Sequence, residues 1–340
     1  MRIVVRATNW IGDAIMSLPA LRALRVRYPD AHIALLAKPW VAALYEGERA
    51  VDRIIRLDGA SGPRDWRAKA KLARSLRSER FDLAVLFPNS FESAALVFLA
   101  GVKRRVGYAR DGRGVLLTDA VPVPREGETP RHERFYYLEL LRRAGLIGSI
   151  PECGEILLDN AQSARTRGEE LFASRGLRGG VIGVSPGAAF GGAKRWPQDR
   201  FAEAAGELAM RGGASIAVFG SAAERPLCDR VAALCGGKSF AGETTLREFI
   251  DMTAACRLFL ANDSGAMHIA AALGVPSVTV FGPTDETATG PCGHRARTLR
   301  EPVECAPCKK RECPIDHRCM TRVDASRVVA AAEELIAIRC

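Results

Sequence analysis

The chain of 340 residues has no uninterrupted apolar run approaching the ~20 residues needed to cross a bilayer. Its opening, Met1-Arg2-Ile3-Val4-Val5, lacks the charged-then-apolar layout of an export signal, so a cytoplasmic protein is expected. Low-complexity tracts are missing and aromatics are few, while 48% hydrophobic and 26% charged residues is the balance of a folded globular chain. No G-x-G-x-x-G occurs anywhere, which counts against a nicotinamide or flavin dehydrogenase. A Walker A loop is missing too. The nearest approach, Gly187 to Lys194, has Ala193 where the lysine is required and no Ser or Thr after Lys194, so an ATPase is disfavoured. Six of the ten cysteines stand singly, and without an export signal reduced thiols are expected.

What is present points to two domains, since the length exceeds what one hydrophobic core usually holds. The net charge of +10 is lopsided: residues 1–150 hold 26 Lys and Arg against 16 Asp and Glu, and 151–340 hold 23 of each. An anionic partner for the first half follows, whether nucleic acid, membrane surface or phosphorylated substrate, with a merely solvated basic face as the plain alternative. Apolar runs at 3–7, 32–37, 53–57 and 82–87 alternate with helical patterns, as expected of a parallel sheet covered by helices. Pro19 falls inside the first helical pattern, Ala14 to Tyr28, and predicts a kink. The proline-rich stretch 119–130 reads as a connection. In the second half, runs at 180–187, 214–221, 257–265 and 276–283 each end in small or polar residues, where ligands sit in open parallel sheets.

Four motifs carry chemistry. The loop from Ser185 to Pro197 places Gly187, Gly191 and Gly192 ahead of Lys194 and Arg195, letting backbone N–H groups and a cation approach phosphate. Asp263-Ser264-Gly265 precedes a helix with His268 one turn in, an anion site by virtue of free N–H groups and helix dipole; the plainer reading is an N-cap and a core histidine. Asp13, in the turn Asn9 to Asp13, is either a helix cap or a general base. Cys305, Cys308, Cys313 and Cys319, with His317 nearby, form a candidate zinc cluster, although only one C-x2-C knuckle is present and a reduced loop is the plain alternative.

The opening VVRATNWIGDAIMSLPALRAL, the loop SPGAAFGGAKRWP, the strand end FGS with Glu224, the segment FAGETTLREFIDMTAACRLFLANDSGAMHIAAALGVPSVTVFGPTD and the tail CAPCKKRECPIDHRCM together resemble glycosyltransferase family 9, the heptosyltransferases of the lipopolysaccharide inner core. The resemblance covers nearly the whole chain. It implies an α/β GT-B fold with two Rossmann-like domains facing each other across a cleft: residues 1–177 bind the acceptor and residues 178–340 bind the nucleotide sugar. The amphipathic pattern of the last helix, about 326–338, is read separately as a face for packing back on the first domain. It further implies metal-independent, inverting transfer of L-glycero-D-manno-heptose from ADP-heptose to the first heptose of the inner core on Kdo2-lipid A, releasing ADP, with no cofactor. On this sequence Asp13 becomes the general base and Lys194 the stabiliser of the leaving diphosphate. Ser185, Gly187, Lys194, Glu224, Asp263, Ser264, Gly265 and His268 become the nucleotide-sugar site, with the nucleoside near Gly242–Leu246. Position 264, often Thr in the family, keeps its hydroxyl as Ser.

Asn9, Gly12, Asp13, Arg64, Lys103 and Arg105 become acceptor contacts, with Arg67, Lys69, Lys71, Arg104 and Arg113 as further cations for an anionic, lipid-linked oligosaccharide. The partners expected are ADP-heptose, that oligosaccharide and the inner-membrane surface, not nucleic acid. Competing readings are a family member with a different acceptor, a zinc- or nucleic-acid-binding protein, and a nucleotide-sugar epimerase of the same shape.

Overall fold

A computed structural model describes residues 1–57 and 66–337. The chain forms two compact units, Met1–Cys153 and Gly154–Cys340.

In the first unit the order is β1 Arg2–Arg6, α1 Ile11–Met16, α2 Leu18–Arg27, β2 His32–Ala37, α3 Pro39–Ala42, β3 Arg53–Arg56, α4 Trp66–Ser78, β4 Leu83–Leu86, α5 Phe91–Leu99, β5 Arg104–Tyr108, β6 Asp119–Val121 and α6 Arg134–Arg143. The six strands are parallel, in the order β3-β2-β1-β4-β5-β6. The inner strands are buried on both faces, which is why β1, β2 and β4 read as continuous apolar runs rather than alternations. Val4, Leu36, Ala84 and Leu86 pack against Leu76, Leu96 and Val97 of the covering helices. Pro19 acts as expected: the helical pattern breaks at Ser17, leaving proline in the first turn of α2, where its missing N–H costs nothing. The stretch 119–130 is not wholly a connection, because its first three residues pair with β5 as edge strand β6.

The second unit runs α7 Ala161–Ser174, β7 Val181–Ser185, α8 Gln198–Gly212, β8 Ser215–Val218, α9 Arg225–Cys235, β9 Lys238–Ser239, α10 Leu246–Ala254, β10 Cys256–Asn262, α11 Gly265–Ala272, β11 Ser277–Phe281, α12 Glu286–Thr289, β12 Ala296–Arg300, α13 Arg318–Thr321 and α14 Ala325–Ala337. Its parallel sheet has the order β12-β11-β10-β7-β8-β9. The compact units divide the chain differently from the boundary expected. The change of unit falls at 153/154, not 177/178: Ile156 and Leu158 donate backbone N–H groups to Cys292 and Ala272, and Arg167 on α7 binds Asp251 on α10 at 2.7 Å. The last helix, α14, packs within its own unit, burying Val328, Val329, Ala332 and Leu335 with Ile182, Leu208 and Val280.

Both sheets reverse their strand order beside their first strand, at β1/β4 and at β7/β10. In open α/β sheets the crevice at that reversal, outside the carboxyl ends of the strands, is where ligands bind. No helix among the described residues is long and apolar enough to cross a membrane.

Candidate active site

At the reversal in the second unit, β7 ends on Ser185 and β10 on Asn262, in neighbouring strands. Asn262 is fully buried and ties three segments together: its amide donates to the Pro186 carbonyl at 2.8 Å, and its side-chain oxygen accepts from Trp196 N–H at 2.9 Å. The glycine loop therefore hangs from β10. Lys194 reaches Asp263, Nζ to Oδ2 2.5 Å, and Thr284, just past β11, donates its hydroxyl to the same oxygen at 2.5 Å. The loop's cation thus lies at the amino end of α11, whose N-cap is Ser264 and which carries the buried His268 one turn in. Asp263 is not the cap. Ser264 occupies that position without making the side-chain capping bond, and among the described residues its buried hydroxyl has no hydrogen-bond partner. An orphaned hydroxyl at a helix amino end, beside a lysine, is the arrangement an incoming phosphate oxygen would satisfy.

Glu224 also joins this rim. Its carboxylate accepts from Ser221 N–H at 2.9 Å and from the Ser221 hydroxyl at 2.8 Å, closing a capping box after β8. A Cβ at Gly187 would overlap that carboxylate, so any side chain there would push Glu224 out of its capping box. Gly242 follows at the next strand end, donating its N–H to the Gly220 carbonyl at 2.9 Å. Ser185, Gly187, Lys194, Glu224, Asp263, Ser264, Gly265 and His268 are accordingly all on one edge of the sheet.

The cysteine-bearing segment has a role that its cysteines do not announce. Its backbone and polar side chains brace the glycine loop: Ala193 N–H donates to Arg311 O at 2.9 Å, Gly192 N–H to the Glu312 carboxylate at 2.9 Å, and His317 Nε2 lies 2.8 Å from Ala193 O. Gly191 lies against the Arg311 backbone too closely for any Cβ. Cys305, Cys308, Cys313 and Cys319 line a cavity of about 260 Å³ behind this brace. Among the described residues no group of three or more His, Cys, Asp or Glu side chains is arranged to hold a metal, and Cys305, Cys308, Cys313 and Cys319 are free thiols. Burial pushes the Cys319 thiol up to about 11, and the neighbouring Cys305, Cys313 and Cys308 push it the same way.

At the reversal in the first unit, β1 leads into Asn9, Gly12 and Asp13. Asp13 is not a cap either: α1 starts at Ile11 with Trp10 as N-cap, so Asp13 lies inside the first turn. A helix amino end favours an ionised carboxylate, but α1 is only six residues long and burial outweighs it, raising the Asp13 pKa from 3.8 to about 6. Among the described residues no cation pairs with this carboxylate. Glu133, at the N-cap of α6, has its own pKa raised by burial first and by Asp13 second. Buried Tyr137 and Tyr45 lie within electrostatic reach of Asp13. Asn9 is fixed from two sides: Arg6 Nη2 donates to its side-chain oxygen at 2.6 Å and Trp40 Nε1 to its carbonyl at 2.9 Å.

The expected acceptor cations divide differently. Arg64 lies outside the described residues. Lys103 and Arg105 are not brought to Asp13: they stand at the amino end of β5, level with the start of β4, on the opposite rim of the sheet. Arg105 donates to the carbonyls of Leu116 at 2.7 Å and Val102 at 2.6 Å. Arg113 is fully buried, binding the carbonyls of Tyr108 and Pro88 and the side chains of Ser93 and Asn89, so it is a structural residue. Sequence reasoning missed Arg6, Asn262 and Thr284, whose partners are distant in the chain or part of its backbone, and set His317 beside a candidate zinc cluster where it braces Ala193 instead.

The sequence profile of glycosyltransferase family 9 (heptosyltransferase) matches residues 69–318. Lipopolysaccharide heptosyltransferase 2 of Escherichia coli is 34% identical over 310 residues, covering 88% of both chains. Lipopolysaccharide heptosyltransferase 1 of Pseudomonas aeruginosa is 26% identical over 99% of this chain and 98% of its own. The solved structure of E. coli ADP-heptose lipopolysaccharide heptosyltransferase II superposes with a TM-score of 0.84 at 30% identity, covering 99% of each chain. With that fold, two sheets of this topology and the matched motifs in place, the chain belongs to glycosyltransferase family 9, the heptosyltransferases.

Proposed function

We propose that this heptosyltransferase is of the second type: it moves heptose from ADP-heptose to the first heptose of the lipopolysaccharide inner core, in the cytoplasm at the inner-membrane surface. The acceptor hydroxyl attacks the anomeric carbon, the bond from that carbon to the diphosphate oxygen breaks, and ADP leaves with the bonding pair. Inversion follows from this single displacement. Asp13 takes the hydroxyl proton. A carboxylate with its pKa near 6 is a better base than an ordinary one, yet still mostly ionised at neutral pH. Lys194, the hydroxyl of Ser264 and the N–H groups opening α11 stabilise the charge that develops on the diphosphate. His268, on the same helix, adds a donor, and Glu224 with the Gly242–Leu246 segment takes the nucleoside.

The observation that carries this reading is the meeting of Lys194 with Asp263 at the start of α11, beside the unpartnered Ser264 hydroxyl. Its test is ADP release by the purified chain supplied with ADP-heptose and either of two acceptors, one lacking heptose and one already bearing the first heptose. Turnover is expected only with the second. Turnover confined to the heptose-free acceptor assigns the first-type reaction instead.

A further inference from the structure

Helix α5, with the sequence FESAALVFL, is apolar around most of its circumference although only one face of it is covered. Ala94, Leu96 and Val97 pack into the first core, while Phe91, Phe98 and Leu99 stand exposed at 50%, 47% and 61%. With Ala95 between them, these side chains recur at the spacing of one helical face and form an outward stripe about 12 Å long. A surface helix ordinarily turns polar residues to water, and a contiguous apolar stripe marks an interaction surface. The stripe continues onto Val115, which is 85% exposed in the turn 113–116. That turn is tied to α5 through Arg113, whose Nη1 donates to the Ser93 hydroxyl at 3.1 Å, and through Arg105, which donates to the Leu116 carbonyl and lies over the Phe98 ring, 5.3 Å from its centre.

Cations border the stripe on both sides. Helix α4 carries five Lys and Arg among thirteen residues and no Asp or Glu. It lies alongside α5: near one end Lys69 meets Glu92 at 3.4 Å, and at the other the Arg77 side chain comes within 3.9 Å of where a Cβ on Gly101 would stand. Lys71, Arg74 and Arg77 are exposed, and none has a carboxylate in ion-pair contact among the described residues. On the other flank are Lys103 and Arg105, the cations that the fold keeps away from Asp13.

An apolar ridge between two cationic borders suits a partner that is apolar at depth and anionic at its surface. Phenylalanine and leucine side chains enter the acyl boundary, and long Lys and Arg stems follow them while their heads reach lipid phosphates. Nucleic acid would engage the cations and leave the apolar stripe in water, and a second copy of the chain on the same stripe would crowd two acid-free helices together. We propose that the outer face of α5, bordered by α4 on one side and by Lys103 and Arg105 on the other, is the surface by which this chain docks on a bilayer containing anionic lipid. The proposal rests on the reading of the acceptor as lipid-linked. The stripe begins at Phe91, where β4 has just ended beside β1, so docking along it brings the rim that carries Asp13 up to the headgroups from which such an acceptor projects.

Flotation of the full chain with vesicles tests this, using phosphatidylglycerol with phosphatidylethanolamine in one set and phosphatidylcholine alone in the other. The parent is expected to float with the first set and not with the second. Leu99→Ser, and the double variant Arg74→Gln with Arg77→Gln, are each expected to lower the partition about tenfold. Met210→Ser removes a side chain that is 82% exposed on α8 of the second unit and should leave the partition unchanged. Each variant is first checked by thermal melting against the parent. Equal flotation with phosphatidylcholine, no flotation of the parent, undiminished flotation of either the Leu99 or the arginine variant, or an equal loss in Met210→Ser overturns the docking surface. A parent that sediments as a dimer and becomes a monomer in Leu99→Ser overturns it too, and gives the stripe to a second copy. Failure of the functional reading shows separately: all three variants should keep the parent's ADP release on a deacylated acceptor oligosaccharide, and a parent that floats yet releases no ADP there loses the proposed reaction while keeping the docking surface.

Discussion

The two strand-reversal sites of this chain handle charge in opposite ways. In the second unit the charged groups at the strand ends are partnered: Asp263 with Lys194 and Thr284, Glu224 with Ser221, and the polar Asn262 is bound at both ends of its amide. In the first, Asp13 is desolvated with no cation in ion-pair contact among the described residues, and Arg6 is desolvated with no carboxylate in ion-pair contact there, Glu92 acting on it electrostatically without one. Burial lowers the Arg6 pKa to about 10. Paired charges fix geometry and suit the diphosphate grip proposed for this site. Unpaired ones are held at the expense of stability and are found where a proton moves or an ion is still to arrive.

That contrast can be broken experimentally, beginning where the effect is largest. Asp13→Ala is expected to cut turnover by ~100-fold or more, the usual loss for a general base, while donor affinity measured by calorimetry stays near the parent value. Near-parent turnover would remove Asp13 from the chemistry. In the parent, kcat/KM for the acceptor should rise with pH through about 6 and then level off, as the carboxyl loses its proton.

The same shift has a stability consequence with a definite sign. Because the folded-state pKa lies above the ordinary 3.8, folding favours the protonated acid; that contribution is complete below pH ~4 and is lost as pH rises through about 6. Asp13→Asn should therefore be more stable than the parent at pH 8 by up to about 3 kcal/mol, and no more stable at pH ~3.5. Denaturant unfolding at the two pH values decides. Equal stability of parent and variant at pH 8 would mean that the buried charge carries no strain.

Smaller effects belong to the paired side. Lys194→Met removes one charge-assisted contact and leaves Asp263 without its cation, so donor Kd should rise by roughly ten- to a hundredfold. Asn262→Ala strands the Trp196 N–H and the Pro186 carbonyl and should destabilise the second unit by about 1–3 kcal/mol in thermal unfolding. His317→Ala, which touches only the brace, should raise the donor KM several-fold with kcat nearly unchanged. A fall in kcat alone would place His317 in the chemistry instead.

Much of the architecture was legible in the chain. The runs at 32–37 and 53–57 became β2 and β3 almost residue for residue, and β7, β8, β10 and β11 lie where four apolar stretches end in small residues. The strands that escaped notice are β5, β6, β9 and β12, and their residues explain why. β5 opens on two arginines, β9 is two residues long, and β12, Ala296–Arg300, is a half-exposed edge carrying arginine at two of five positions. Edge positions need no continuous apolar run and so leave no signal.

The motif residues of the proposed nucleotide-sugar site were legible because the devices proposed for phosphate, a glycine turn and a helix start, are local ones. Asn262 and Thr284 were not, since their partners lie 76 and 21 residues away. Arginine composition was the poorest guide: Arg113, Arg105 and Arg6 are indistinguishable as letters, yet one is a strut, one is a rim contact far from Asp13, and one holds Asn9.

The segment from Cys305 to Cys319 holds little regular structure, but the glycine loop is braced by it through Arg311, Glu312 and His317. Loops of that kind ordinarily accept insertions. This one behaves as a splint, so adding or deleting a single residue between Pro307 and Asp316 would slide the support sideways and carry Lys194 off the start of α11. Its length is under as tight a constraint as the strands it lies beside.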